Sequence, residues 1–380
     1  MDNRKVFVIY ASAGAGHMKA ADAVAKAVKK NYPNADLKLF DSLDYTTSFF
    51  KKSYPAIYLF AISQTPTIWG LCYYMFDWPV IDFIVAKMRR MTNGFHAKKL
   101  KRFILEEKPD VVISTHFMAT EVIGNLKKKG LYKGRLVTVV TDYGLHSFWV
   151  HKNCDDFVVA SEDTKEDLAK RGIDRNRIYS LGIPIDEAFA KKEDKTLMRK
   201  NLGIREDLFT ILIVSGGFGV GPILELVKEL GSLDIPIQLI VVCGKNPKLV
   251  EEVTNEQKRL KNPLKIYGFA TNMPELMSAS DLMITKSGGL TTSEAMVKGL
   301  AMIVIKPVIG QETKNCGFLV KHEAAVRVDN VKQVKTAVLD LFKDKDKLEK
   351  MRRNINSIAR PNSSLDIAKL ALTAKTQNDR

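Results

Sequence analysis

Three times along this chain a short apolar strand runs into a glycine loop that opens a helix, and that repeat limits the fold more than any other feature. The fullest copy is Asp281 to Asn315: an apolar strand to Thr285, a break at Ser287-Gly288-Gly289, a helix to about Leu300, and a second strand from Ala301 to Ile305 closed by Pro307. Thr291, Thr292 and Ser293 are candidate caps for that helix, and Glu294 falls early within it. Strand, loop, helix and strand in this order make a parallel α/β unit. Free N–H groups at a helix start suit an anion such as a diphosphate, and glycine lets the backbone approach it. An acidic side chain one turn further in can accept hydrogen bonds from a ribose. The plainer reading, a tight turn before a helix, stays open on this segment alone.

The other two copies are Val6 to Ala11 followed by Ser12-Ala-Gly14-Ala-Gly16-His17, and Phe209 to Val214 followed by Ser215-Gly216-Gly217-Phe-Gly-Val-Gly221. The first lacks the GxGxxG spacing of a dinucleotide fold, and an Ala-rich helix is expected after it from about Lys19 to Asn31. It places His17 at a helix start, where a histidine is disfavoured as a cation and can act as a base, or simply sits at the surface. Further strands are expected at Leu37–Phe40, Val111–Ser114, Val137–Val140, Asp156–Ala160, Ile178–Leu181, Ile237–Val242, Leu264–Tyr267 and Val326–Val328. Polar residues at strand C-termini line the crevice of an open α/β sheet, so His116, Asp142 and His146 join His17 as candidates. A charged, helical stretch from Phe189 to Arg205 reads as the link between two halves built on one plan. At 380 residues, two domains are the natural division.

Phe49 to Trp78 departs from this pattern. Ten aromatic residues crowd into it: Phe49, Phe50, Tyr54, Tyr58, Phe60, Trp69, Tyr73, Tyr74, Phe76 and Trp78, flanked by Lys51, Lys52, Lys87, Arg89 and Arg90. Rings beside cations suit a bilayer interface; the alternative is a pair of core helices under a lid. The net charge of +16 favours polyanionic partners without choosing among nucleic acid, anionic lipid and phosphorylated substrates. Cys72, Cys154, Cys243 and Cys316 form no CxxC pair, which speaks against a cysteine zinc site. The N-terminus reads as a first strand and not as a signal peptide, and no run of about 20 apolar residues is present.

Several motifs together carry a resemblance: SAGAGH at 12–17, VTDYGLHSFWVH at 140–151, VSGGFG at 214–219, the stretch 268–303, and GQETKN at 310–315. Over nearly its whole length the chain resembles the monogalactosyldiacylglycerol synthase and processive diacylglycerol glucosyltransferase family, glycosyltransferases of family 28 related to the peptidoglycan N-acetylglucosaminyltransferase. Ala15 stands where the family more often has glycine. The resemblance implies an α/β fold of GT-B architecture, two Rossmann-like domains facing a central cleft. It implies an acceptor and membrane-binding domain over 1–190, a UDP-sugar domain over 191–358, and a C-terminal helix over 359–380 that crosses back to the first. For the donor it implies Phe269 at the uracil, Gly216, Gly217, Ser287, Gly288 and Gly289 at the diphosphate, Glu294 at the ribose, and Gln311 and Glu312 at the hexose. For catalysis it implies His17 as base with Asp142 beside it, and Gly14, Gly16, His116 and His146 on the acceptor side. Phe49, Phe50, Tyr54, Tyr58, Trp69, Tyr73, Tyr74, Trp78, Lys51, Lys52, Arg89 and Arg90 correspond to the membrane-binding region.

The implied activity is inverting transfer of glucose or galactose from the UDP-sugar to 1,2-diacylglycerol, by a peripheral enzyme on the cytoplasmic face of an anionic membrane. No metal or other cofactor is expected, because no DxD-like motif occupies a donor position, and no nucleic-acid partner is expected. A polyprenyl-linked or other lipid acceptor, and a UDP-sugar epimerase on the same scaffold, are the enzymatic alternatives. A non-catalytic basic module leaves GQETKN and the glycine loops without a purpose.

Overall fold

The computed structural model describes residues 3–214, 216 and 221–373, apart from the side chains of Ile62, Ser63 and Pro79. The chain divides into two compact units. One comprises residues 1–187, 308–314 and 362–380; the other comprises 188–307 and 315–361.

The N-terminal unit holds β1 (Lys5–Tyr10), β2 (Asp36–Asp41), β3 (Val111–Ser114), β4 (Arg135–Val139), β5 (Asp156–Val158) and β6 (Ile178–Tyr179), with helices α1 (Ala15–Asn31), α2 (Ser48–Gln64), α3 (Pro66–Phe76), α4 (Pro79–His96), α5 (Lys98–Glu107), α6 (Phe117–Lys128) and α7 (Glu162–Lys170). Its six strands are parallel, in the order β2-β1-β3-β4-β5-β6. The central strands are apolar and buried along their length, as strands covered by helices on both faces must be. The core on one face joins Phe7, Ile9, Leu100, Ile104, Ile123 and Phe157; the other joins Val6, Val8, Val24 and Ile113.

In the second unit, β7 (Phe209–Val214), β8 (Ile237–Val242), β9 (Leu264–Tyr267), β10 (Leu282–Thr285), β11 (Ala301–Ile305) and β12 (Ala325–Val328) alternate with α8 (Lys195–Leu202), α9 (Ile223–Gly231), α10 (Pro247–Gln257), α11 (Met273–Ala279) and α12 (Gly289–Val297). Helices α13 (Gln311–Lys321), α14 (Val331–Lys343), α15 (Lys345–Ile358) and α16 (Ser363–Thr373) follow. The sheet order is β12-β11-β10-β7-β8-β9, all parallel, which is the Rossmann winding. Helix α16 belongs to the N-terminal unit: Ile367, Ala368, Ala371 and Leu372 enter its core beside Val6, Ala21 and Val24, and Arg4 donates to the Leu372 carbonyl at 2.8 Å.

Two expectations change here. The stretch 189–205 is not one helix. A single turn over Glu187–Ala190 is followed by α8, which begins only where Asp194 accepts from the Leu197 amide. Helix α1 begins at Ala15 and not near Lys19, so His17 sits inside its first turn.

Candidate active site

In the C-terminal unit the sheet order reverses between β7 and β10, the position where open α/β sheets bind ligands. The loops leaving both strands carry the expected diphosphate glycines. Gly216 has φ +65, a left-handed backbone that only glycine adopts without strain. Gly217 lies outside the described residues. After β10, Ser287 is buried and its carbonyl accepts from the Asn315 amide at 3.0 Å, so the loop is tied to α13. Gly288 is the N-cap of α12, no side chain caps that end, and a Cβ at Gly288 meets nothing within 4 Å. Gly289 opens the helix.

The capping expected of Thr291, Thr292 and Ser293 does not occur, because the helix starts before them. Thr292 and Ser293 instead donate back to the Gly288 and Gly289 carbonyls, at 3.0 and 2.7 Å. The helix end is thereby left to backbone amides, which is what a diphosphate requires. Glu294 lies one turn further in and is buried. Phe269 follows β9, half-exposed at 52%, with the Lys245 ammonium 5.3 Å from its ring centre.

In the N-terminal unit the corresponding switch lies between β1 and β3, and His17 stands beside it. Its Nδ1 is 2.8 Å from the Thr115 carbonyl and 3.0 Å from the Thr141 hydroxyl. A carbonyl can only accept, so Nδ1 carries the proton and Nε2 keeps its lone pair, the tautomer of a base. Burial lowers the His17 pKa to about 4 against the Thr115 carbonyl, which raises it; the imidazole is neutral at neutral pH. The orienting group at Nδ1 is therefore backbone. Asp142, expected beside His17, follows Thr141 and lies close enough to Tyr58 and Tyr73 to raise the pKa of both phenols, after burial. Gly14 is the N-cap of α1, again with no side-chain cap, and a Cβ at Gly14 or Gly16 meets open space.

His116 and His146 serve as supports. The His116 ring stands edge-on to His17 at 4.7 Å, stacks on Phe117, and accepts the Met118 amide through Nδ1. Nδ1 of His146 accepts from the Phe148 amide, and its Nε2 donates to the Tyr73 carbonyl at 2.9 Å, tying the loop after β4 to α3. Both rings are buried, and burial lowers both pKa values, that of His146 to about 4.

The GQET segment belongs to this same unit. The Gln311 amide donates to the Tyr58 hydroxyl at 2.6 Å, and Glu312 accepts the Val308 amide at 2.8 Å. Lys314, in the motif but given no role by sequence reasoning, reaches Asp77 at 3.0 Å and the Leu145 carbonyl at 2.6 Å. Burial pushes the Asp77 carboxyl up, but hydrogen bonds from Arg171 and Lys314 hold it well below the usual carboxylate range. Thr115, Thr141, Asp77 and Lys314 were missed because each acts through contacts distant in sequence.

The glycine loops of both units have parallels among known proteins. Residues 17–185 match the model of the monogalactosyldiacylglycerol (MGDG) synthase family, and residues 210–369 match that of the glycosyltransferase family 28 C-terminal domain. A processive diacylglycerol beta-glucosyltransferase of Bacillus cereus is 31% identical over 365 residues, covering 94% of this chain and 91% of that protein. The enzyme of the same description from Bacillus pumilus is 30% identical over 96% of this chain and 94% of its own. The chain belongs to the monogalactosyldiacylglycerol synthase and processive diacylglycerol glucosyltransferase family. It is a glycosyltransferase with a GT-B-like fold. Among solved structures, Acinetobacter baumannii MurG shares the fold (TM-score 0.64, 17% identity, 98% of this chain and 100% of that one). So does the UDP-GlcNAc 2-epimerase of Neisseria meningitidis (TM-score 0.63, 16% identity, 97% and 100%).

The segment expected to meet the membrane comprises α2, α3 and α4, and the structure divides its residues by direction. Phe49, Tyr74 and Trp78 are exposed, with Lys51, Lys52 and Arg90. Tyr54, Tyr58 and Trp69 are half-buried. Three expected surface residues point inward. Phe50 packs with Ala11, Leu43 and Met118; Tyr73 lies against His146 at 4.3 Å; and Arg89 pairs with buried Glu121 at 2.6 Å under Phe148. They do so because a helix that shows one face to solvent turns the opposite face to the core. Sequence reading missed the rest of the outer face, mostly aliphatic: Ile57, Ile68, Leu71, Met75, Val80, Ile84, Met88 and Met91 are exposed, with Phe83 and Phe95. Among the described residues no single helix is long and apolar enough to cross a bilayer; α3 with α4 from Val80 onward qualifies only as a pair, bent by 100°.

Proposed function

We propose that this protein transfers glucose from UDP-glucose to the free hydroxyl of 1,2-diacylglycerol, with inversion to a β-linkage, while lying on the surface of an anionic membrane. The observation that carries the reading is the His17 tautomer: a neutral imidazole with Nε2 unprotonated, in the unit whose helices present an apolar face to solvent. His17 takes the acceptor hydroxyl proton as that oxygen attacks the anomeric carbon, and the bond from that carbon to the diphosphate breaks. The departing UDP gathers negative charge. The amides at Gly288 and Gly289 meet it, with Glu294 on the ribose, Phe269 at the base, and Gln311 and Glu312 at the hexose. Helix amides supply the stabilisation at this point, so we propose that no divalent cation is required and that EDTA leaves turnover unchanged.

Diacylglycerol as acceptor and glucose as the sugar follow the Bacillus relatives, both processive diacylglycerol beta-glucosyltransferases. The acceptor's lipid character is also supported by the outer face of α2–α4. Moving one large apolar side chain out of water is worth roughly 1.5–3 kcal/mol, so a shallow insertion of several holds the enzyme at the interface. Exposed Lys51, Lys52, Lys87 and Arg90 add attraction to anionic lipid.

The test is incubation with UDP-glucose or UDP-galactose on diacylglycerol vesicles, with and without anionic lipid, followed by mass analysis and anomer assignment of the product lipid. A β-glucosyl-diacylglycerol formed faster on anionic vesicles is expected. Release of an epimerised UDP-sugar, or no glycolipid from either donor, overturns the proposal.

A further inference from the structure

The segment 308–314 is seated on α2, α3 and the residue after α3 through Ile309, Gly310, Gln311 and Lys314. Ile309 fills the space a side chain at Gly70 would take: a Cβ there comes within 2.1 Å of its Cγ2. Gly310, at φ +118, has the Tyr73 ring and Trp69 Nε1 within 3.2–3.5 Å of where its Cβ would stand. Lys314 is anchored by Asp77, the Leu145 carbonyl and the face of Tyr73, 5.3 Å from its ring centre. Between these anchors the Gln311 amide nitrogen donates to the Tyr58 hydroxyl at 2.6 Å. The Tyr58 ring is fixed in turn edge-on to Trp69 at 5.5 Å, and burial raises the phenol pKa to about 12, so it remains a hydroxyl.

With its NH2 on the Tyr58 hydroxyl, the Gln311 amide turns its carbonyl oxygen away from Tyr58. We infer that Tyr58 is a positioning residue for the sugar: it fixes the Gln311 amide so that Oε1 is presented as an acceptor to one hydroxyl of the donor hexose. The inference rests on the proposed transferase reading, in which Gln311 meets the hexose. It adds that discrimination between C4 epimers is set from α2, in the helix layer that meets the lipid. Without Tyr58 the amide rotates freely, offers NH2 as readily as oxygen, and reads a hydroxyl's direction poorly.

Tyr58→Phe removes one oxygen and keeps the ring against Trp69. The expected result is a rise of about 5- to 10-fold in the KM for UDP-glucose, the loss of one buried hydrogen bond, with kcat changed less. The ratio of kcat/KM for UDP-glucose over UDP-galactose should move toward one, while binding of UDP alone and binding to anionic vesicles stay at wild-type levels. A general structural defect would lower UDP binding and turnover together and would not select between epimers. If Tyr58→Phe matches wild type in KM and epimer ratio while the wild type transfers hexose, the positioning role is wrong and the transferase reading stands. If the wild type forms no glycolipid from either donor, the transferase reading fails and the positioning role falls with it.

Discussion

At the scale of single residues, the His17 proton account makes a testable demand. A base whose Nδ1 proton is committed to the Thr115 carbonyl accepts at Nε2 alone, and burial lowers its pKa to about 4. The base form is therefore fully present at neutral pH and is lost only as pH falls through about 4. Expressed in kcat/KM, which reports the free enzyme, the acid limb should lie well below the usual histidine value of about 6.5. His17→Ala should lower kcat by about 10²-fold or more on general-base precedent, with UDP affinity intact, since the residues proposed to hold UDP belong to the other unit. An acid limb near 6.5, or a His17→Ala enzyme with near-normal turnover, excludes His17 as the base. His17 itself was legible in the sequence, because a histidine closing a glycine loop at a helix start is a local pattern. Its orientation was not. The carbonyl that fixes its tautomer comes from a residue 98 positions away, and the hydroxyl beside it from one 124 positions away.

Among the elements, strands were the most legible, because a parallel strand covered on both faces is a continuous apolar run that needs no partner to be recognised. Helices α2–α4 were less so. Rings and aliphatics occur on every side of α2 and α3, and composition does not say which face is wet; the inward turn of Phe50, Tyr73 and Arg89 is decided by α6 and by the segments that follow β1, β2 and β4. Helix α4 carries the most direct test. Phe83 and Met88 are exposed by 69% and 63%, so charging them removes no core packing. Phe83→Glu with Met88→Glu should leave the melting temperature and UDP binding unchanged, and should weaken binding to anionic vesicles at least about 10-fold, given roughly 1.5 kcal/mol or more per lost insertion. Sedimentation with vesicles measures this directly. Unchanged sedimentation would mean that the apolar face meets something other than lipid. Raising salt should weaken wild-type binding without abolishing it, because Lys51, Lys52, Lys87 and Arg90 supply only the screened part.

For the whole molecule, acid should act on the two units unequally. Five of the six histidines and all three tryptophans lie within residues 1–187. His116 and His146 are buried, and each accepts a backbone amide through Nδ1, a bond that protonation removes. Burial lowers the pKa of His116 well below the usual range, and lowers those of His146 and His151 to about 4. The unfolded chain takes up these protons near pH 6.5. Between about 6.5 and 4 the unfolded state therefore binds more protons than the folded one, so stability rises with pH across that window and is lost as pH falls through it. Below about 4 a second loss follows: protonating Asp77 removes its bonds to Arg171 and Lys314, and with them the seat of the 308–314 segment. Tryptophan fluorescence reports the N-terminal unit alone, since Trp69, Trp78 and Trp149 all reside there. Its thermal midpoint should fall steadily from pH 7 to pH 4.5. Circular dichroism, which sees both sheets, should then separate into an earlier, acid-sensitive transition and a later one of weaker pH dependence. A His146→Asn variant, which keeps an amide-capping oxygen and carries no titrating ring, should flatten the fluorescence slope. A midpoint that holds constant from pH 7 to pH 5 would show that these imidazoles are not kept neutral by the fold, and the neutral charge state assigned to His17 on the same grounds would have to be given up with them.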